Sequence, residues 1–358
     1  MKFFRNFDFI VLFAVFIIVI FGLVMIWSLT PLLFPQQLLF CVVGFVFFFT
    51  FSRIDFRVFQ SLSKFLYLGS ILFLISTFVF GEVTRGSTRW IQIGNFTIQP
   101  SELVKPFLVL FFASLFADQE ETKRSFLVKG LIFLFFPLFF VFKQPDLGST
   151  LVIFMLFVGM VIGLGLARRQ IISIAAASLL IVPTFWFFLK DYQRNRILSF
   201  LDPYLDPLGS GYNLIQAVIT VGSGQIFGRG LGRGTQSHLF FLPERHTDFI
   251  FASFSEEFGF VGAAVLIVLY FIILYRILTI AKNSSSLFGS FIAIGVFSML
   301  SFQIFVNIGM NLGILPITGI TLPLVSYGGS SILATMISLG LVEAVANFRK
   351  SDDTLEIR

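Results

Sequence analysis

The sequence predicts an all-α polytopic membrane protein of about ten transmembrane helices, with a long extracytoplasmic segment containing short re-entrant or amphipathic helices. Three observations carry that fold class: apolar blocks of spanning length recur from end to end, 57% of the 358 residues are hydrophobic, and only 12% are charged. Roughly twenty apolar residues cross the hydrocarbon core as a helix. Spans are placed near 9–29, 36–51, 65–81, 103–117, 126–142, 147–166, 170–189, 249–275, 287–308 and 324–347, with one long interruption at 190–248. The chain therefore reads as a single membrane domain over 1–358.

The first block follows Lys2 and Arg5 as a signal sequence would, but it runs into Trp27-Ser28-Leu29-Thr30-Pro31 without a small-x-small cleavage site. It is expected to stay as the first span. Pro100 and Ser101 are start signals for the fourth span, Asp146 precedes the sixth and Asp248 the eighth. Before the tenth, Pro316, Pro323 and several glycines would break a helix, and broken ends at membrane depth usually line a cavity. The 53 Phe residues are spread over nearly every block, as lipid-facing or interhelical bulk. Cys41 stands alone in an apolar block, so neither a disulfide nor a thiolate metal site is available.

Orientation follows from Lys and Arg. With the N-terminus inside, 15 of the 25 Lys and Arg fall on its side, among them Arg53, Arg57, Lys64, Lys123, Arg124, Lys129, Arg168, Arg169, Arg276 and Lys282. Six of the other ten lie in the long segment 190–248, where the charge rule is weak, so both termini are expected to be cytoplasmic. The inner loops are short and hold no Gly-rich phosphate cradle. This argues against a nucleotide-driven engine, and no nucleic-acid partner is expected. The outer segments 81–100, 143–148, 190–248 and 309–323 hold nearly all the Gly, Pro, Trp and acid-rich sequence, so the working face is the outer one. Within 190–248, residues 212–221 and 225–231 read as short amphipathic or re-entrant pieces between glycines.

Candidate functional groups concentrate there. Asp248 sits where the long segment meets the eighth span, as a helix cap or as a carboxylate placed to take a proton from a substrate hydroxyl. Glu256 and Glu257 lie further down that span, where ionisable groups imply function or a structural bond to a neighbouring helix. Glu102 and Lys105, spaced i, i+3, share a helix face. They form either a plain ion pair or a group reaching a lipid phosphate. His238 and His246 are the only histidines, with Glu244 and Asp248 nearby, a weak pattern for a metal. Asn307, Asn311, Ser326, Tyr327, Ser330 and Ser331 flank the last outer connection.

The strings GSTRWIQIGNFTIQPSEL at 86–103, KQPDLGS at 143–149, DPLGSGYNLIQA at 206–217, GRGLGRGTQSHLFFLPERHTDFIF at 228–251 and NLGILPITGITLPLVSYGGSS at 311–331 resemble the signature blocks of the SEDS (shape, elongation, division, sporulation) family. They occur in the expected order over the whole chain. Arg245 and the short termini resemble the elongation branch more than the division branch. Thr220, Val221 and Ser149 depart from residues common in the family.

The resemblance implies a peptidoglycan glycosyltransferase of the bacterial cytoplasmic membrane that polymerises lipid II on the outer face. It implies Asp248 as the catalytic group, with Glu102, Lys105 and Asp146 in a supporting cavity. Arg194, Arg196, Arg233, Glu244, Arg245, His246, Glu256, Ser326 and Tyr327 complete the expected substrate-binding set. The implied partners are a class B penicillin-binding protein, other elongation-complex proteins and membrane lipids. These residues leave the metal requirement open, with a divalent cation, Mg or Mn, held at Asp248 as one reading. The competing readings are a flippase or transporter for a lipid-linked precursor and a scaffold that only recruits the penicillin-binding protein. The lack of an internal repeat and the gathering of charge on one face weigh against transport.

Overall fold

The computed structural model describes residues 7–84, 87–94, 96–118, 123–165, 191–207, 209 and 211–352. Long apolar helices dominate: α1 (Phe9–Leu29), α2 (Phe34–Arg53), α3 (Phe56–Phe80), α6 (Lys123–Lys143), α7 (Leu147–Gly163), α11 (Ile250–Lys282), α12 (Leu287–Asn311) and α13 (Gly329–Asp352). Seven helices among the described residues are long and apolar enough to cross a membrane, and α7 adds a shorter apolar one. The molecule is a polytopic all-α membrane protein. The expected span at 170–189 lies outside the described residues.

The expected fourth span, 103–117, is two helices, α4 (Pro100–Leu103) and α5 (Lys105–Phe116). Pro106 lacks the N–H that would bond the Glu102 carbonyl, so the helix cannot run straight through. The third span starts nine residues before its expected position of 65, at Phe56, capped by Asp55 accepting from Arg57 N at 3.0 Å. Its first turns are polar, which hid them from an apolar-run reading. The tenth starts at Gly329 rather than 324, because 322–328 forms turns.

A three-stranded antiparallel sheet that the all-helical expectation did not contain fills part of 81–100: β1 (Glu82–Thr84), β2 (Ser87–Ile93) and β3 (Phe96–Ile98), in the order β1-β2-β3. Ile93 pairs with Phe96 across a loop of two residues. Its glycine, Gly94, has φ +61°, the left-handed conformation such short hairpins demand. The strands are too short for their alternation to register against the surrounding apolar blocks.

The long segment holds α8 (Asp191–Leu201), α9 (Tyr212–Ser223) and α10 (Thr235–His238). Residues 225–231, expected as a helical piece, are turns instead. They fit into a break in α11 at Gly259, whose backbone (φ 69°, ψ −168°) is not helical. At that break the carbonyls of Glu256 and Glu257 accept from Arg229 N (2.9 Å) and Gly230 N (3.1 Å), while Phe260 N and Val261 N donate to the carbonyls of Gln225 (2.9 Å) and Ile226 (3.1 Å). A backbone clasp thus replaces the helical bonds that the break removes, as burial of polar backbone requires.

The core lies along α12 and α13, the most enclosed spans. α13 packs on α2, and α12 packs between α11, α7 and α5. Large exposed side chains such as Phe13, Phe65, Phe260 and Phe271 cover the outside, the arrangement expected of a lipid-facing surface. At the end of the bundle where α1 begins, Arg276 of α11 pairs with Asp8, and Glu343 of α13 accepts from Asp8 N at 2.7 Å. The starts of α2, α7, α11 and α13 meet at the opposite end, with the sheet and α8 to α10.

Candidate active site

A cavity of about 880 Å³ opens at that second end. Its wall is built from element termini: Gln36 and Phe40 of α2, Arg89 and Trp90 of β2, Glu102 and Lys105 of α4 and α5, Asp146 and Ser149 at the start of α7, Arg196 of α8, residues 244 and 246–248, and loops 318–321 and 327–331. Cavities at membrane depth form where helices break, because only there can irregular backbone be satisfied.

Asp248 enters through a compact turn. Thr247 N and Phe249 N both donate to the Glu244 carbonyl, at 3.1 and 3.2 Å, and the Thr247 hydroxyl donates to a Glu244 carboxylate oxygen at 3.1 Å. The helix cap falls one residue later, on Phe249, whose side chain cannot cap. The Asp248 carboxylate faces Gly319, where a side chain would begin 3.7 Å from Oδ2.

Lys105 Nζ donates to Glu102 Oε1 at 2.5 Å, and both residues are buried although they line the cavity. Burying two charges costs desolvation that their attraction only partly offsets, so this pair is weak as a stabilising device and better understood as polar lining. Asp146 caps α7 by accepting from Ser149 N (3.0 Å) and also accepts from Gln99 (2.9 Å) and Ser101 (3.1 Å). It therefore joins α7 to the start of α4.

The remaining expected site residues divide. Arg196, Glu244, His246 and Tyr327 line the cavity with Asp248, and the Tyr327 hydroxyl donates to Gln36 at 2.8 Å. Ser326 lies just behind it, donating to the Thr247 carbonyl at 2.7 Å and accepting from Leu322 N at 2.8 Å. Arg194 and Arg233 do not line the cavity, and Arg233 is exposed. Arg245 is buried behind the wall. Its guanidinium lies 3.8 Å from the centre of the Phe240 ring and donates to the Leu29 carbonyl at the end of α1, where a cation meets the negative helix terminus. Burial lowers its pKa from the ordinary arginine value.

Glu256 is fully buried away from the cavity. Its carboxylate accepts from Gln236 N (2.9 Å), Ser237 N (3.0 Å) and Ser237 Oγ (2.5 Å), holding the start of α10. Glu257 accepts from Ser28 Oγ at 2.7 Å and meets His238 Nε2 at 2.8 Å. Both glutamates thus fasten the long segment to α11. Glu256→Ala is expected to cost on the order of 3 kcal/mol, since it strands several buried donors. A lower midpoint of thermal aggregation, with faster hydrogen exchange at 235–238, would show it; an unchanged midpoint would contradict the anchoring role.

With His238 tied to Glu257, the two histidines do not converge, and no three His, Cys, Asp or Glu cluster as a metal cage among the described residues. Arg89 and Trp90 were not singled out by the sequence reading. Successive side chains of a strand point to opposite faces, and Ser-Thr-Arg-Trp-Ile-Gln-Ile does not alternate polar with apolar, so no local pattern marked this adjacent pair. The wall thus offers cations (Arg89, Lys105, Arg196), carboxylates (Glu102, Asp146, Glu244, Asp248) and flat aromatic surface (Phe40, Trp90), suited to a ligand that is polar, anionic in part and ring-bearing.

The model of the FtsW/RodA/SpoVE family, described as a cell cycle protein, matches residues 8–351. The chain is 40% identical over 316 residues to the peptidoglycan glycosyltransferase MrdB of Escherichia coli K12, covering 86% of this chain and 84% of that one. Among solved structures it resembles a chain from work on the structural coordination of polymerization and crosslinking by a peptidoglycan synthase complex, with a TM-score of 0.83, 33% identity, and coverage of 96% and 99%. It also resembles the rod shape determining protein RodA of Thermus thermophilus, with a TM-score of 0.72, 29% identity, and coverage of 96% and 98%.

Proposed function

This chain belongs to the FtsW/RodA/SpoVE family, and on that premise we propose that it is a peptidoglycan glycosyltransferase that polymerises lipid II at this cavity during cell elongation. The observation that carries the reading is the presentation of Asp248 into a mixed-charge cavity at the end of the bundle opposite the start of α1. Because Lys and Arg mark the cytoplasmic side, the cavity opens to the outer face of the bacterial inner membrane and both termini lie inside.

Asp248 takes the proton from the 4-hydroxyl of the acceptor GlcNAc as that oxygen bonds to the anomeric carbon of the donor MurNAc. The bond from that carbon to the undecaprenyl pyrophosphate breaks, and the pyrophosphate leaves with the electron pair. Lys105, Arg196 and Arg89, which line the cavity, would offset its charge. Of the four carboxylates in the wall, Glu102 is paired with Lys105 and Asp146 caps α7, so a divalent cation would be held by Asp248 and Glu244 together with phosphate oxygens and water. It would supply further charge neutralisation. The likeness to a chain of a peptidoglycan synthase complex supports a class B penicillin-binding protein as partner. Other elongation-complex proteins and lipids complete the setting.

The test is turnover of lipid II by the purified protein with its penicillin-binding partner, in liposomes carrying lipid II in both leaflets. Glycan strands are the expected product. Movement of lipid II between leaflets without strands would favour the flippase reading, and neither activity would leave the scaffold.

A further inference from the structure

Two asparagines near the end of α12 hold the main chain of Asp248. Asn307 Nδ2 donates to the Asp248 carbonyl at 3.0 Å and to the Ile320 carbonyl at 2.7 Å. Asn311 Nδ2 donates to the same Asp248 carbonyl at 3.1 Å and to the Asn307 carbonyl at 2.7 Å, while its Oδ1 accepts from Ala252 N at 3.0 Å. Both side chains are fully buried.

The geometry of Asn311 is specific. In a regular α-helix the N–H of residue 252 would bond the carbonyl of residue 248. The carboxamide of Asn311 instead engages both groups, satisfying the carbonyl with its N–H and the amide with its oxygen. It bridges the carbonyl that precedes the Phe249 cap and one of the N–H groups that a helix start leaves free, so neither group is unpaired. Asn307 then ties that carbonyl to the 318–321 loop, the wall faced by the Asp248 carboxylate. A buried asparagine donates two hydrogens, and each of these two spends one on Asp248.

We infer that Asn307 and Asn311 are positioning residues that set the Asp248 carboxylate against the 318–321 wall at a fixed distance from the helix. They act through the backbone and touch no substrate. The inference rests on the reading of Asp248 as the base. A displacement of about 1 Å at a reacting group can cost about 100-fold in rate, and loss of these bonds would permit such a displacement.

The experiment compares wild type, Asn307→Ala, Asn311→Ala and Asp248→Asn in complex with the penicillin-binding partner, each normalised to its lipid II binding stoichiometry. Expected for the Ala variants is a kcat per binding-competent molecule lowered about 100-fold, with KM and lipid II affinity within about threefold of wild type. A purely structural role would lower the competent fraction and leave kcat per competent molecule intact, and that outcome overturns the inference. If the Ala variants do not fold, Asn311→Asp decides: it keeps an acceptor for Ala252 N but lacks the amide donors to Asp248. A wild-type kcat in that variant overturns the inference, and a low one upholds it. Strand synthesis retained in Asp248→Asn would overturn the reading of the base itself.

Discussion

Asp248→Asn is expected to reduce glycan-strand synthesis by about 100-fold to 10,000-fold, the range over which general-base catalysis contributes, while leaving folding and assembly with the partner unchanged. The substitution is nearly isosteric. It preserves the main-chain carbonyl that Asn307 and Asn311 hold, the turn through Glu244 and the packing of Phe249. What it removes is the carboxylate's negative charge and its ability to accept a proton. The helix cap is not at stake, because the cap residue is Phe249 and Ala252 N is served by Asn311. Lipid II polymerisation measured at matched yield decides the matter, and equal output from both proteins would return Asp248 to a structural residue.

Gly259→Ala is expected to abolish recovery of folded protein. A φ of 69° with ψ of −168° belongs to a region populated almost only by glycine and costs another residue about 1–3 kcal/mol. Sterics add more: a Cβ there would lie 2.2 Å from Gly228 N, 2.5 Å from the Ile226 oxygen and 2.6 Å from the Phe227 carbonyl carbon. All three are backbone atoms, so no rotamer change relieves the clash. Parting the two segments would strand the four backbone pairs of the clasp, each costly to leave unsatisfied. Gly222, where an added Cβ meets nothing within 4 Å, is the internal control and should accept Ala. Monodisperse size-exclusion profiles and melting curves of the two variants provide the measurement. A Gly259→Ala protein that melts with wild type would mean that the break is not held as described.

Much of the framework was legible because long apolar runs can satisfy their backbone in lipid only as helices, and those runs stand out at 9–29, 287–308 and elsewhere. Polar turns that extend a helix, as at 56–64, and strands of three to seven residues inside 82–98 leave no comparable signature. The site was legible in part. Asp248, Glu102, Lys105, Asp146, Glu244 and His246 were named from charge placed at helix ends or from family likeness, and the structure brings these six to one cavity. Glu256 was named for its depth within the eighth span and faces elsewhere, since which neighbour a side chain meets depends on how segments far apart in sequence pack. Asn307 and Asn311 were noted only as polar residues beside a broken connection. Their hold on a carbonyl 59 and 63 residues away is a tertiary fact that no local pattern encodes.

The break at Gly259 also changes what the bilayer can do to this protein. An unbroken α11 of 33 residues would be a rod of about 50 Å, far longer than a hydrocarbon core of about 30 Å. Such a rod would carry any change of tilt directly to Asp248. Residues 260–282 alone measure about 35 Å and suffice to span. Residues 250–258 are instead riveted to the long outer segment through Glu256, the contact of Glu257 with His238, and the clasp. Because the clasp also holds Phe260 and Val261, the lower rod is pinned at its top to the same outer segment as the upper piece, and the break sets a fixed angle between a rod long enough to span and the scaffold that carries Asp248.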